Sequence, residues 1–300
     1  MWAPSDGIMQ YGEIRLREVE TGKIDVAEKY KGFFFSEKMD GWFVVWDGKD
    51  SLFTKSGKIR LPAPKSFLKH LPKGTAISGE LIVKGEQATS VAGLRKENGP
   101  LWSKAKLYAF DLPGDRRSTF STRTAKLKKI VEKQCARSKA DKASKTGGAE
   151  MKCPLRYIKQ HTVTTNAAFL KKFFRIVECT GEHKTKKGGA QCFGEGVVLT
   201  DPESLYVPGR ASSKVRAKLK RREDKEGKVV GHGAHSLLVQ YSTKAEPFTL
   251  GIGFKANERE RLKELFPIGT VVKYSYRSLG KNGFPKEARF VGKREKADMS

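Results

Sequence analysis

The chain reads as α+β: antiparallel sheets with flanking helices over its first part, followed by a small five-stranded barrel. Three observations carry that expectation. Short runs rich in Phe, Val, Ile and Trp recur through the first 120 residues with turn residues between them, the pattern of strands and hairpins. Two later segments, near residues 121–131 and 166–177, show helical spacing of apolar residues. Beyond residue 228 five more short apolar runs follow, interrupted by a single helical segment. With 300 residues, 38% hydrophobic and 10% aromatic, the chain can bury substantial cores, fitting one medium and one small domain.

In order along the chain, Phe33-Phe34-Phe35 opens a strand that runs into Glu37-Lys38-Met39-Asp40-Gly41. Residues 42–46 form the next strand and turn through Asp47-Gly48 into residues 52–54, since Asp-Gly between apolar runs marks a hairpin. Residues 76–83 and 106–112 are two further strands, the second stopped by Pro113-Gly114. A helix starts near Ser121 and buries Leu127, Ile130 and Val131; residues 133–152 decay into Lys, Ser, Ala and Gly, a solvated loop or frayed helix end. A strand at 155–158 precedes a helix N-capped by Asn166, carrying Phe169, Leu170, Phe173, Phe174 and Val177 inward. Residues 183–189 read as a solvated loop able to touch phosphates, and Gly196-Val197-Val198-Leu199 as a strand. The charged run 221–227 is the expected linker, giving domains 1–222 and 223–300. Runs at 229–230, 237–241, 248–250, 271–276 and 289–291, with a helix over 258–266 ended by Pro267, suggest a closed barrel of the OB kind, a common nucleic-acid platform.

The charge balance is a statement about partners. Sixty Lys and Arg against 33 Asp and Glu give +27, which favours nucleic acid, because neutralising phosphates releases counterions and gives affinity without reading sequence. No basic amphipathic helix is concentrated enough to favour a membrane surface. No apolar stretch approaches the roughly 20 residues of a spanning helix, and the first residues lack an apolar signal core. The four cysteines, Cys135, Cys153, Cys179 and Cys192, form no Cys-x-x-Cys pair. That spacing suggests neither a zinc site nor a disulfide framework, and an intracellular, reducing compartment (cytoplasm, nucleus or viral replication site).

The chemistry lies in an ordered set: Lys38-Met39-Asp40-Gly41, Ser78-Gly79-Glu80-Leu81, Tyr108-Ala109-Phe110-Asp111, Glu195-Gly196-Val197-Val198 and Lys218-Leu219-Lys220. A lysine can act as a covalent nucleophile if its pKa falls from about 10.4, and neighbouring cations such as Lys218 and Lys220, a metal and partial desolvation all lower it. The two glutamates offer hard oxygen ligands, and Phe110 a flat face for a base. Lys218 and Lys220 alternate on a strand, so both ammonium groups share one face.

Taken together and in order, these motifs resemble the minimal ATP-dependent DNA ligases of viruses and bacteria, within the covalent nucleotidyltransferase superfamily. The likeness runs from about Phe35 to Arg294 and includes Gly251-Ile252-Gly253-Phe254, Asn257-Glu258-Arg259-Glu260, Pro267-Ile268-Gly269 and Lys281-Asn282-Gly283-Phe284-Pro285. It implies a nucleotidyltransferase (ATP-grasp-like) domain followed by an OB domain. It also implies ATP with Mg²⁺ or Mn²⁺ as cofactors, and nicked double-stranded DNA bound without sequence specificity by a monomer. By resemblance Lys38 takes the adenylate and Asp40 orients it or a metal. Glu37 and Lys55 contact the nucleotide, and Glu80 meets the ribose and a metal. Phe110 stacks on adenine, Glu195 is the main metal carboxylate, and Lys218 with Lys220 clamps the α-phosphate. Three positions depart from the pattern: Phe43 and Lys55 stand where relatives carry arginine, and Thr200 where they carry a basic residue. The C-terminal basic motif is matched only approximately, by Lys293 and Arg294, and the 230–237 segment is too short for a long DNA-encircling hairpin. Rival readings are an RNA ligase with the same core, an mRNA guanylyltransferase, and a catalytically degenerate nucleic-acid-binding relative.

Overall fold

The computed structural model describes residues 2–83, 93–96, 99–143, 153–177, 194–209, 211–243, 245–277, 279–280 and 283–294. The chain divides into two compact units, Met1–Leu219 and Lys220–Ser300.

The first unit begins with β1 (Gly12–Arg15), α1 (Leu16–Glu20) and α2 (Val26–Lys29), the last capped by Asp25, whose carboxylate accepts from the Ala27 and Glu28 amides. Next come β2 (Phe34–Met39), β3 (Trp42–Trp46), β4 (Leu52–Thr54), β5 (Arg60–Leu61), α3 (Lys65–Leu68), β6 (Ile77–Val83) and β7 (Ala105–Asp111). The unit closes with α4 (Phe120–Ala143), β8 (Leu155–Tyr157), β9 (His161–Thr162), α5 (Asn166–Val177), β10 (Gly194–Thr200) and β11 (Arg216–Lys220), whose last residue opens the second unit.

These strands form two sheets. One has the order β5-β4-β3-β6-β7-β8, the other β1-β11-β10-β2-β9. Alternation along each strand gives each sheet an apolar outer face. Leu81, Val83, Leu107 and Ala109 pack with Leu127 and Val131 of α4 and with Phe67 and Trp102. Phe35, Val197, Leu199, Ala217 and Leu219 pack beneath Phe169, Phe173 and Ile176 of α5. Burying those two faces leaves the opposite pleat positions, among them Lys38, Glu80, Phe110 and Arg216, on the walls of one cleft between the sheets. The hairpin read at Asp47-Gly48 is present: the Asp47 carboxylate accepts from the amides of Lys49, Asp50 and Ser51, and Gly48 sits at φ 83°.

The second unit holds β12 (Glu223–His232), β13 (Leu237–Gln240), β14 (Phe248–Leu250), α6 (Ala256–Arg259), α7 (Leu262–Leu265), β15 (Val271–Tyr276) and β16 (Arg289–Lys293). The sheet order is β14-β13-β12-β15-β16. The Phe290 amide donates to the Ile252 carbonyl at 2.7 Å, bringing the chain after β14 back onto β16 in the manner of a barrel. Phe254, Phe266 and Phe290 stack and edge against one another inside, with centroids 4.5–5.7 Å apart. β12 and β13 are joined by a short turn closed by the Gly233 amide on the Ser236 carbonyl.

Several expectations need correction. The charged run 221–227 is not an irregular linker; from Glu223 it is strand, paired residue for residue with β15. Charge alternation on a two-stranded ladder looks like a solvated run in sequence, because only the partner strand reveals the pairing. The helix expected over 258–266 is two short helices broken at Glu260 and Arg261. Asn166 is the first residue of α5 rather than its cap. Thr165 caps, its hydroxyl accepting from the Ala168 amide at 3.2 Å, while the Asn166 amide oxygen accepts from Val26 across the fold. α4 continues through the segment read as decaying, to Ala143; residues 144–152 lie outside the described residues. Finally, Cys135 and Cys153 form a disulfide, with Cα atoms 5.4 Å apart. Spacing gave no sign of it, because folding α4 back along β8 is what brings the two together. Disulfides persist in oxidising surroundings, so cysteine spacing no longer supports a reducing compartment. Cys179, Cys192 and residues 183–189 lie outside the described residues. Among the described residues no helix is long and apolar enough to cross a membrane.

Candidate active site

The site is built by register. β10 pairs antiparallel with β2, and a bulge between Gly194 and Gly196 leaves Glu195 as the extra residue opposite Lys38 and Met39. A bulge re-aims a side chain that regular pleating would send away, and here Glu195 forms an ion pair with the Lys38 ammonium, 157 residues distant in sequence. On the facing sheet, Glu80 of β6 is registered between Phe43 of β3 and Tyr108 of β7. Its carboxylate accepts from the Gly41 amide at 3.1 Å. Gly41 is required there: a Cβ would come within 2.5 Å of the Leu81 carbonyl oxygen and 2.7 Å of Ile82.

The cleft is open to solvent and has a cavity volume of about 140 Å³. Glu37, Lys38, Glu80 and Phe110 line it, as do all three departures, Phe43, Lys55 and Thr200. Phe110 is part of an apolar floor with Met39, Ile82 and Ile158, and its ring lies 5.4 Å from that of Phe43. Phe43 therefore extends the aromatic floor where relatives would place a cation. Asp40, Glu195, Lys218 and Lys220 are not among the lining residues. Lys218 pairs with Glu13 at 3.4 Å, and Lys220, in the second unit, with Glu287 at 3.3 Å. Lys281 and Asn282 lie outside the described residues. Tyr11, Phe120, Gln160 and Arg216 also line the cleft; the sequence reading missed all four. Only Arg216 carried a signal, standing two residues before Lys218 on the same face of one strand.

The electrostatics reverse one expectation. Burial pulls the Lys38 amine down, but the charge of Glu195 and the hydrogen bond to it outweigh burial, so the pKa is raised rather than lowered. Without nucleotide, the nucleophile candidate is an ammonium held by a carboxylate. Glu80 behaves oppositely: burial pushes its carboxyl up to about 7, against the pull of Lys38 and the Gly41 amide. Among the described residues no group of three or more Asp, Glu, His or Cys forms a metal cage. The donors nevertheless fit Mg²⁺, which takes one or two carboxylates and completes its shell with water and phosphate; Glu195 and an ionised Glu80 are such groups.

The fold and cleft define the class: a nucleotidyltransferase domain followed by an OB domain. The family described as DNA ligase OB-like domain matches residues 213–294. A DNA ligase of Haemophilus influenzae is 30% identical over 269 residues, covering 87% of this chain and 86% of that protein. The chain belongs to the DNA ligase family, and it is an enzyme that joins DNA. A solved structure of a Lig E DNA ligase, described as binding DNA with a minimal scaffold, is similar with a TM-score of 0.70 and 25% identity, over 96% of this chain and 99% of that one. The Chlorella virus DNA ligase–adenylate shares the fold at a TM-score of 0.52 and 18% identity, over 97% of this chain and 98% of that one.

Proposed function

We propose that this ligase uses ATP and a divalent cation, Mg²⁺ or Mn²⁺, to seal 3′-hydroxyl/5′-phosphate nicks in duplex DNA through an adenylate on Lys38. The observation that carries the reading is Lys38, paired with Glu195, on the wall of a cleft floored by Phe110. In the first step the neutral Lys38 amine attacks the α-phosphorus of ATP; a P–N bond forms and pyrophosphate leaves. AMP then passes to the nick's 5′-phosphate, freeing Lys38, and the 3′-hydroxyl displaces AMP as the phosphodiester forms. Positioning and charge stabilisation supply most of the rate in such in-line transfers.

Phe110 stacks the base, Glu37 and Lys55 contact the nucleotide, and Asp40 orients the reacting lysine. Lys218 and Lys220 clamp the phosphates once they exchange their present carboxylate partners for phosphate oxygens. Glu195 and Glu80 would hold the cation, which would supply charge neutralisation; engaging Glu195 would remove the largest influence that raises the Lys38 pKa, leaving burial less opposed. The adenylyltransferase domain takes residues 1–222 and the OB domain 223–300. The chain works as a monomer on DNA gripped through its +27 charge without base specificity.

The test is incubation with ATP labelled at the α-phosphate and Mg²⁺. The wild type takes up acid-labile label and Lys38→Ala takes up none. Label retained by Lys38→Ala would retire the assignment of the nucleophile.

A further inference from the structure

Arg216 opens β11 with its guanidinium inside the cleft and only 3% of the residue exposed. Its surroundings are unusual for a buried cation. The Asp111 carboxylate, fully buried, is held at 2.7 Å by Arg123 Nε, and Arg123 also donates to the Ser118 and Ser204 carbonyls. Arg216 reaches that shared carboxylate only through one long contact, Nη1 to Oδ2 at 3.5 Å. The rings of Tyr11, Phe120 and Phe110 surround its guanidinium, with centroids 5.0, 5.7 and 5.9 Å away. Its Nε–H is buried with no acceptor among the described residues. One carboxylate thus serves two guanidiniums, and a charged donor is left unsatisfied in an aromatic wall. Leaving such a donor unpaired is costly, so a ligand that brings an acceptor relieves it.

The kind of acceptor follows from position. The reacting phosphate must lie at Lys38 on β2, whereas Arg216 is on β11, with β10 between them, so the two strands are about 10 Å apart. Arg216 lies instead against Phe110, the ring that stacks the base. A purine on that ring presents ring nitrogens at its edge, acceptors that a guanidinium N–H reads directly. The exocyclic amine of adenine, a donor, must face elsewhere, and Glu37 and Gln160 bring acceptor oxygens to the same cleft.

We propose that Arg216 is a specificity-determining residue of the nucleotide site: its Nε–H donates to a ring nitrogen of the purine stacked on Phe110. This rests on the nucleotide reading above. The test measures adenylation kcat/KM with ATP and with 1-deaza-, 3-deaza- and 7-deaza-ATP, on the wild type and on Arg216→Met, which keeps the unbranched stem among the rings. One analogue is expected to react about tenfold less well than ATP with the wild type, the scale of one hydrogen bond to a charged group. Arg216→Met is expected to lose most of that preference while reacting more slowly with ATP. The proposal is overturned if the wild type accepts all three analogues as well as ATP, or if the same preference survives in Arg216→Met. A variant that is merely less stable, with its analogue profile intact, also overturns it and makes Arg216 a structural partner of Asp111. Should the variant fail to fold, the wild-type panel decides: a penalty with one analogue supports the proposal, and no penalty rejects it. A wild type that ATP does not label at all fails the nucleotide reading instead, which separates the two.

Discussion

Replacing Glu80 by glutamine removes a titration that the fold makes expensive. The Glu80 carboxyl is carried from 4.5 to about 7, chiefly by burial. The folded protein therefore holds a proton on Glu80 that the unfolded chain has already released between those two values. Stability then falls as pH rises through that window, because the folded state binds more protons. A displacement of about 2.5 units at about 1.4 kcal/mol each amounts to ~3 kcal/mol of lost stability once the pH exceeds 7. Glutamine has the shape of the protonated acid, keeps an oxygen for the Gly41 amide and does not titrate. Urea unfolding of both proteins at several pH values, without nucleotide, measures the effect. The wild type should approach the variant's stability near pH 5 and fall behind by up to ~3 kcal/mol by pH 8. A stability difference that stays constant from pH 5 to 8 would show that burial does not raise the Glu80 pKa and would refute the prediction.

The other predictions test separate parts of the molecule. Gly41→Ala forces a Cβ against the Leu81 carbonyl and Ile82 and should cost about 1–3 kcal/mol in stability, with adenylation falling as the turn after Lys38 shifts; a variant matching wild type in both thermal melts and labelling refutes the packing. Reducing the Cys135–Cys153 disulfide, or Cys135→Ser, opens a loop of 18 residues in sequence separation and should lower stability by ~3 kcal/mol, read as a drop in Tm under reductant that the serine variant no longer shows. Binding to nicked duplex should weaken steeply with added salt, as the +27 charge requires; titrations at 50 and 200 mM salt that give equal Kd contradict a grip through phosphates.

Much of the cleft was legible because strand alternation is local. The pattern around Lys38, Glu80 and Phe110 assigned each to a strand, and all three occupy strands whose other pleat face is core. The second unit was legible in its five strands but not in the full extent of β12, whose charged first half becomes strand only through pairing with β15. Arg216 was not singled out by the sequence. What sets it apart is the company of Tyr11, Phe110, Asp111 and Phe120, drawn from two distant stretches of chain.

By itself, then, the sequence determined most of the strands, the residues proposed for phosphoryl chemistry, and the family that their order resembles. These depend on residue type and on a two-residue period, both written along the chain. The tertiary structure decided the state of those groups. A bulge turns Glu195 onto Lys38 and raises the pKa of its amine, and burial pushes the Glu80 carboxyl up to about 7. Cys135 finds Cys153 because α4 lies against β8. Charge, protonation and pairing answer to dielectric and to neighbours, and only the folded chain sets either.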